Sequence, residues 1–440
     1  MTTYWCERAW VGPAELVEGL VVEVTGTHIA STHRSPAAPA GARRLAGLTI
    51  PGFANCHSHA FHRALRGRTQ AASGGSFWTW REAMYDVADH LDPDTYHALA
   101  LATYEEMALS GITAVGEFHY LHHGPQGARY DEPNVMGQAL IAAAGSAGLR
   151  VALLDTCYLS SGFGSPPEGT QRRFADASAD DWVNRVADLS RDSDESTVVV
   201  GSAIHSVRAV PRTDLATVAA ALPTAPLHVH LSEQVAENED CQHHHGCTPT
   251  QLLGDAGVLG PRTTAVHATH LEPDDISLLG RARCFADLCP TTERDLADGV
   301  GPARLLAQAG AALTLGTDSH AVIDMFEEMR AVELDARLVS QRRGHWSSDD
   351  LLTAATTTGH GSLGFGDGGR IAAGAWADLV TLDTSSPRTA GTGAGPESVV
   401  FAATPADITS VVASGRLLPR DPDSVGRRLR DAVDAIGSSR

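Results

Sequence analysis

Two histidines set two residues apart, His57 and His59, end an apolar run that begins near Leu48 and reads Pro-Gly-Phe-Ala-Asn-Cys-His-Ser-His from Pro51. Successive strand side chains point to opposite faces, so both imidazoles project together while Cys56 and Ser58 point away. The pair supplies only half of a four-coordinate metal site, and an isolated His-x-His is more often a plain packed pair. Three later segments offer the other half: His228-Val-His230-Leu-Ser-Glu233, His267-Ala-Thr-His270 and Gly316-Thr-Asp318-Ser-His320. Together the four segments provide three nitrogen ligands and a carboxylate oxygen. That set suits a borderline ion such as Zn²⁺ and leaves a position for water.

Each of these segments follows a short apolar run, and eight such runs alternate with Ala- and Leu-rich stretches between about 48 and 365. The expected strands are Leu48 to Asn55, Ile112 to Phe118, Arg150 to Thr156, Thr197 to Ile204, Pro226 to Leu231, Thr263 to Ala268, Arg283 to Leu288 and Ala312 to Gly316. The spacing predicts helices over Thr95 to Ser110, Val135 to Ala147, Asp180 to Leu189 and Met325 to Ser340. Eight βα units in that length suit a closed α/β barrel whose catalytic groups stand at the strand ends. A doubly wound open sheet is the alternative, but no Gly-x-Gly-x-x-Gly turn follows the first strand. Residues 1–47 and 366–440 carry short strand-like runs, including Ala-Asp-Leu-Val-Thr-Leu at 377–382, and are expected to form one small β module from both chain ends. Arg427, Arg428 and Arg430 mark a terminal amphipathic helix with a solvated face.

The formal charge of −20 argues against nucleic-acid or anionic-membrane partners, which need a positive surface. The chain has no lysine, which excludes Schiff-base lysines, phosphate-loop lysines and any lysine-derived bridge between two metal ions. A single divalent ion per chain follows as the expectation. Seven scattered cysteines fit a reducing compartment rather than a disulfide framework. Without a long apolar run or a basic-then-apolar start, a cytoplasmic location is expected.

The order of these motifs resembles that of the amidohydrolase superfamily, and Gly374-x-x-Ala-Asp-Leu-Val resembles that family's return to its small β-sandwich. The resemblance implies a distorted (β/α)8 TIM barrel with a β-sandwich domain from both chain ends. It also implies His57, His59, His230 and Asp318 as metal ligands, with Glu233 and His267 working beside them as in the family's deaminases. Longer segments resemble the formimidoylglutamate deiminases: His57-Ser-His-Ala-Phe-His62, Phe77-Trp-Thr-Trp-Arg81, Gly116-Glu-Phe-His-Tyr120 and His205-Ser-Val-Arg208. That likeness implies hydrolysis of N-formimino-L-glutamate to N-formyl-L-glutamate and ammonia, and a homodimer. Asp318 would accept the proton of the attacking water, His267 would stabilise the tetrahedral intermediate and Glu233 would serve the departing nitrogen.

An acidic protein that receives a dicarboxylate needs local cations, and Arg81 and Arg208 offer planar forks, with Tyr120, His205 and His62 as further donors. His62 stands where the family often has glutamine. For Arg81, which follows an aromatic cluster, stacking on Trp78 or Trp80 is the lesser alternative. Deamination of a purine, pyrimidine or triazine ring, and a noncatalytic metal- or ligand-binding barrel, stay open as alternatives.

Overall fold

The computed structural model describes residues 1–70, 77–193 and 197–437. Residues 71–76 and 194–196, inside the expected barrel range, and 438–440, inside the C-terminal range, lie outside the described residues. Four strands open the chain: β1 (Thr2–Gly12), β2 (Glu15–Thr25), β3 (His28–Arg34) and β4 (Arg43–Pro51). The first three form an antiparallel meander, and β4 lies parallel to β1.

Eight parallel strands then follow, each beside its neighbour in sequence: β5 (Phe53–Ser58), β6 (Ile112–His119), β7 (Arg150–Cys157), β8 (Val198–Ile204), β9 (Leu227–Leu231), β10 (Thr263–His267), β11 (Phe285–Leu288) and β12 (Ala312–Leu315). The two ends of this sheet meet at the site. Thr317 and Asp318 donate backbone N–H bonds to the His57 carbonyl at 3.1 and 2.9 Å, and His59 donates to the Asp318 carbonyl at 3.2 Å. Asn55 adds a clasp, giving Nδ2–H to Thr317 Oγ1 at 2.8 Å and accepting the Thr317 N–H at 2.9 Å. The result is a nearly closed barrel with helices around it.

The run expected as one strand, Leu48 to Asn55, is two strands in two different sheets. β4 pairs antiparallel with β13 (Leu379–Leu382), and Gly52 carries the chain across to β5. A Cβ at Gly52 would overlap the Thr113 side chain, so only glycine lets the backbone cross this close to β6. The small sheet therefore reaches Pro51 rather than ending at 47. It is completed by β14 (Ile408–Ala413) and β15 (Arg416–Leu417), which flank a tight turn where Ser414 and Gly415 both have positive φ. All seven of its strands belong to one sheet, in the order β15-β14-β13-β4-β1-β2-β3, which curls until Tyr4 Oη donates to the Gly415 carbonyl at 3.1 Å. Arg150, at the start of β7, pairs with Asp378 at 2.7 Å and lies over Trp376, pinning the small sheet to the barrel.

The observed helices Pro93–Leu109, Val135–Ala147, Ala179–Asp192 and Met325–Ser340 match the expected ones closely. Asp92 caps the first of them with its carboxylate on the Thr95 N–H. The terminal helix Pro422–Gly437 buries Val425 and Leu429 against Ala102, while Arg428 pairs with Glu105 at 2.6 Å. Among the described residues, no helix is long and apolar enough to cross a membrane.

Candidate active site

β5, β9, β10 and β12 end at one rim of the barrel, and their last side chains converge there. His57 Nε2 and His59 Nε2 lie 3.4 and 3.3 Å from the same Asp318 oxygen, and His230 Nε2 lies 3.0 Å from His57 Nε2. The other Asp318 oxygen is 3.9 Å from His267 Nε2, which is itself 3.8 Å from Glu233. Five non-glycine residues of this rim adopt left-handed φ: Ser232 (52°), His267 (67°), Ala268 (48°), Asp318 (39°) and His320 (56°). Such conformations cost about 1–3 kcal/mol each and persist where the surrounding fold over-determines them. Here they turn side chains at the strand ends into the barrel mouth.

The donor set fits a divalent ion. Burial drives the His57, His59 and His230 imidazoles to hold their protons weakly, the His59 ring falling to about 3, so each is a neutral ring with a free lone pair. His59 Nδ1–H donates to the Phe118 carbonyl at 2.9 Å, which leaves Nε2 bare and aimed at the cluster. His57 Nε2 and His230 Nε2, 3.0 Å apart, meet at the same point, where one ion could take a lone pair from each. Burial works to raise the Asp318 carboxyl, but its hydrogen bond and charge interaction with His57, helped by His267 and His59, hold it well below the usual range.

Glu233 and His267 show the opposite shifts. Burial pushes the Glu233 carboxyl up to about 7, which suits proton transfer near neutrality. Burial also opposes protonation of His267, yet Glu233, Glu293 and Asp318 around it outweigh that and hold its proton firmly. Glu293 lies 3.5 Å from His267 Nδ1 on the far side of the ring from the cluster.

The rim opens into a pocket lined by every remaining expected residue. Helix Phe77–Asp89 brings Trp80, Arg81, Met84 and Tyr85 to its wall. The Arg81 guanidinium packs 4.5 Å from the Trp78 ring and 5.5 Å from Tyr85, so it does stack, and it faces the pocket as well. Trp80 instead packs edge-on to His62. His62 Nε2 is 2.8 Å from Tyr120 Oη, which ties two expected substrate contacts to each other. His205 packs against His230 and Tyr158, and Arg208 enters from the turn after β8.

Several lining or supporting residues have no sequence signature. Phe174 follows the 3₁₀ turn Gly169–Arg173, in a Gly-, Pro- and Ser-rich stretch that folds inward to the pocket. Tyr158 follows β7. Glu237 lies in helix Val235–His245, which the exposed His243 and His244 close. His228 is buried in β9 two residues before His230, and the His270 backbone bonds to Ser232 and Asn238.

A parallel eight-stranded barrel with three imidazoles, a carboxylate and a Glu–His pair at one rim defines the metal-dependent barrel hydrolases. The amidohydrolase family profile matches residues 48–418. A formimidoylglutamate deiminase from Pseudomonas aeruginosa is 35% identical over 99% of both chains. A 5'-deoxyadenosine deaminase from Methanothermobacter thermautotrophicus is 30% identical over 85% of this chain and 82% of its own. A crystal structure of an amidohydrolase from Brucella melitensis superposes with a TM-score of 0.92 at 31% identity, covering 99% of this chain and all of the other. The chain belongs to the amidohydrolase family. Within that family it is of the deaminase type.

Proposed function

We propose that this enzyme hydrolyses N-formimino-L-glutamate to N-formyl-L-glutamate and ammonia. The observation that carries the reading is the placement of two guanidinium groups, Arg81 and Arg208, in the same pocket as Glu233, His267 and Asp318. An amidine-bearing dicarboxylate needs cations at one end and acid–base groups at the other. The likeness to the Pseudomonas aeruginosa deiminase supports the same substrate.

His57, His59, His230 and Asp318 would hold one divalent ion, with zinc suited to these donors, and the ion would supply Lewis acidity and make water acidic enough to ionise near neutrality. Asp318 accepts a proton from the attacking water through its oxygen nearer His267. His267 donates a hydrogen bond to the oxygen as the formimino carbon becomes tetrahedral, which places fixed positive charge where negative charge develops. Glu233, protonated near neutral pH, gives its proton to the imino nitrogen as the water adds, then takes the adduct's hydroxyl proton and passes it to the same nitrogen. The C–N bond breaks, ammonia leaves, the hydroxyl oxygen becomes the formyl oxygen, and the proton held by Asp318 restores Glu233. Arg81 and Arg208 bind the carboxylates, with His205, Tyr120 and His62 as additional donors.

Ammonia release from N-formimino-L-glutamate by metal-loaded protein tests this directly. No release, or faster release from 5'-deoxyadenosine or guanine assayed alongside, would sink it. The ring-substrate reading has its own support in the aromatic wall of Phe77, Trp80, Tyr85 and Phe174, which would stack on a planar base. Two ions per active chain would remove the single-ion arrangement.

A further inference from the structure

Glu237 lies behind the pocket lining, 2% exposed, with both of its carboxylate oxygens engaged. Oε2 accepts the Arg208 Nε–H at 2.7 Å. Oε1 accepts the Ser232 backbone N–H at 3.1 Å. Those partners belong to different strand ends and different tasks. Arg208 follows β8 and reaches the pocket, whereas Ser232 sits in left-handed φ between His230 and Glu233.

The single Nε bond matters because of guanidinium geometry. A carboxylate on Nε holds the plane of the fork from behind and leaves the two Nη groups for another planar anion. Among the described residues, the Arg208 Nη atoms make no hydrogen bond. The Ser232 bond matters because a non-glycine residue in left-handed φ relaxes unless something holds it, and the turn at Ser232 decides where the next side chain, Glu233, points. The Ser232 carbonyl is fixed separately by the His270 N–H at 3.0 Å.

We infer that Glu237 is a positioning residue that couples carboxylate binding at Arg208 to the presentation of Glu233. Resting on the dicarboxylate reading above, this deepens it. One buried carboxylate sets both the grip on the substrate's distal end and the aim of the proton donor at its reacting end. A substrate lacking a carboxylate at Arg208 therefore meets a fork whose rear is anchored but whose front is unpaired, and the same anchor favours dicarboxylates over neutral amidines. Glutamine cannot replace Glu237, because its amide accepts one of the two N–H groups and turns a donor against the other.

The test uses metal-loaded Glu237→Gln, Arg208→Ala and the double variant. Binding of N-formyl-L-glutamate is measured by calorimetry, and kcat and KM by ammonia release. The expected result is a full metal complement in Glu237→Gln, with affinity and kcat each lower by about tenfold. In the Arg208→Ala background, Glu237→Gln should cost no further affinity while still lowering kcat through Ser232. An equal affinity loss in both backgrounds overturns the coupling, and so does an unchanged kcat. A crystal structure of Glu237→Gln supplies a readout that needs no substrate: the Arg208 plane and the Ser232 turn should both move, and an unmoved pair overturns the inference. If wild-type enzyme neither releases ammonia from N-formimino-L-glutamate nor binds the product, the substrate reading falls and the crystal structure alone decides on Glu237. Should Glu237→Gln fail to fold or to hold metal, Glu237→Asp, which keeps the charge but retracts it by one carbon, is read in the same way.

Discussion

Two buried groups of histidine and aspartate stand at neighbouring strand ends of this barrel, and both bring their potential ligand atoms within 4.8 Å of one another. One is the rim cluster around Asp318. The other is His119, His122 and Asp155, at the ends of β6 and β7. In the second cluster every strong position on the carboxylate is occupied. Arg185 donates to both Asp155 oxygens at 2.8 and 2.9 Å, and Trp182 Nε1–H donates to one of them at 2.9 Å. His122 Nε2–H donates to the Thr156 carbonyl at 2.9 Å, so its Nδ1 is left to face His119 Nε2 at 3.3 Å. The same Arg185 pairs with Asp176, which also takes His123 at 3.3 Å. A resident guanidinium thus occupies both oxygens of this carboxylate, whereas at the rim the Asp318 oxygen nearest His57 and His59 faces only imidazoles. Residue types and proximity are therefore shared by the two clusters, and what separates them is whether a guanidinium already grips the carboxylate at hydrogen-bond distance. The Arg185 network braces the chain that carries Tyr120 to the pocket, while the rim cluster faces that pocket directly.

The sharpest test of the contrast is loss of a rim ligand. His230→Ala should lose its ion, by metal content per chain, and at least about a thousandfold in ammonia release. A variant that retains one ion per chain would place the ion elsewhere. Next in size, Glu233→Gln should keep the ion and lose about 10² to 10⁴ in kcat with little change in product affinity; normal turnover would remove Glu233 from the chemistry. Asp155→Asn should do the reverse. It should keep the ion and cost about 3 kcal/mol of stability in denaturant melts, the low end for a broken buried pair because Asp176 still faces Arg185. Loss of metal from this variant would merge the two clusters into one functional unit.

The smallest effect is the pH dependence of folding. Burial alone would raise the Asp155 and Asp176 carboxyls, but Arg185 and the neighbouring His122 outweigh it at Asp155, and His123 with Arg185 does so at Asp176, leaving both depressed. Carboxyls depressed on folding contribute stability that is complete above their unfolded value of about 4 and is lost as pH falls through the folded values. Melting temperature should therefore decline on the acid side below about pH 4, with a shallower slope in Asp155→Asn. Equal slopes would show that this network does not govern acid unfolding.

Sequence pattern reveals what repeats along the chain. The strands ending in His57, His230 and Asp318 are legible because apolar β-branched runs stop abruptly at residues with ligand chemistry. The Leu48 to Asn55 run hid a change of sheet, because both sheets demand the same apolar alternation and Gly52 carries no marker of which one the chain is leaving. Glu237 and Phe174 were illegible for a different reason. Their places depend on what a helix or turn packs against after the barrel closes, and an acidic residue in a polar stretch resembles solvated surface. The Asp155–Arg185 pair is likewise a meeting of distant positions that no local spacing announces.

The backbone seam between His57 and Asp318 has a consequence for how the molecule is made. The first and last barrel strands are also the two ends of the proposed ligand set, and Asn55 clasps Thr317, 262 positions further along the chain. A polypeptide emerging from the ribosome presents His57 and His59 long before His230 and Asp318, and cannot assemble these proposed donors until the last of them has been made. The small sheet waits longer still, since β13 to β15 complete what β1 to β4 begin. Products cut before Thr317 therefore lack both the seam and the site, so that closing the barrel and completing the donor set become a single event.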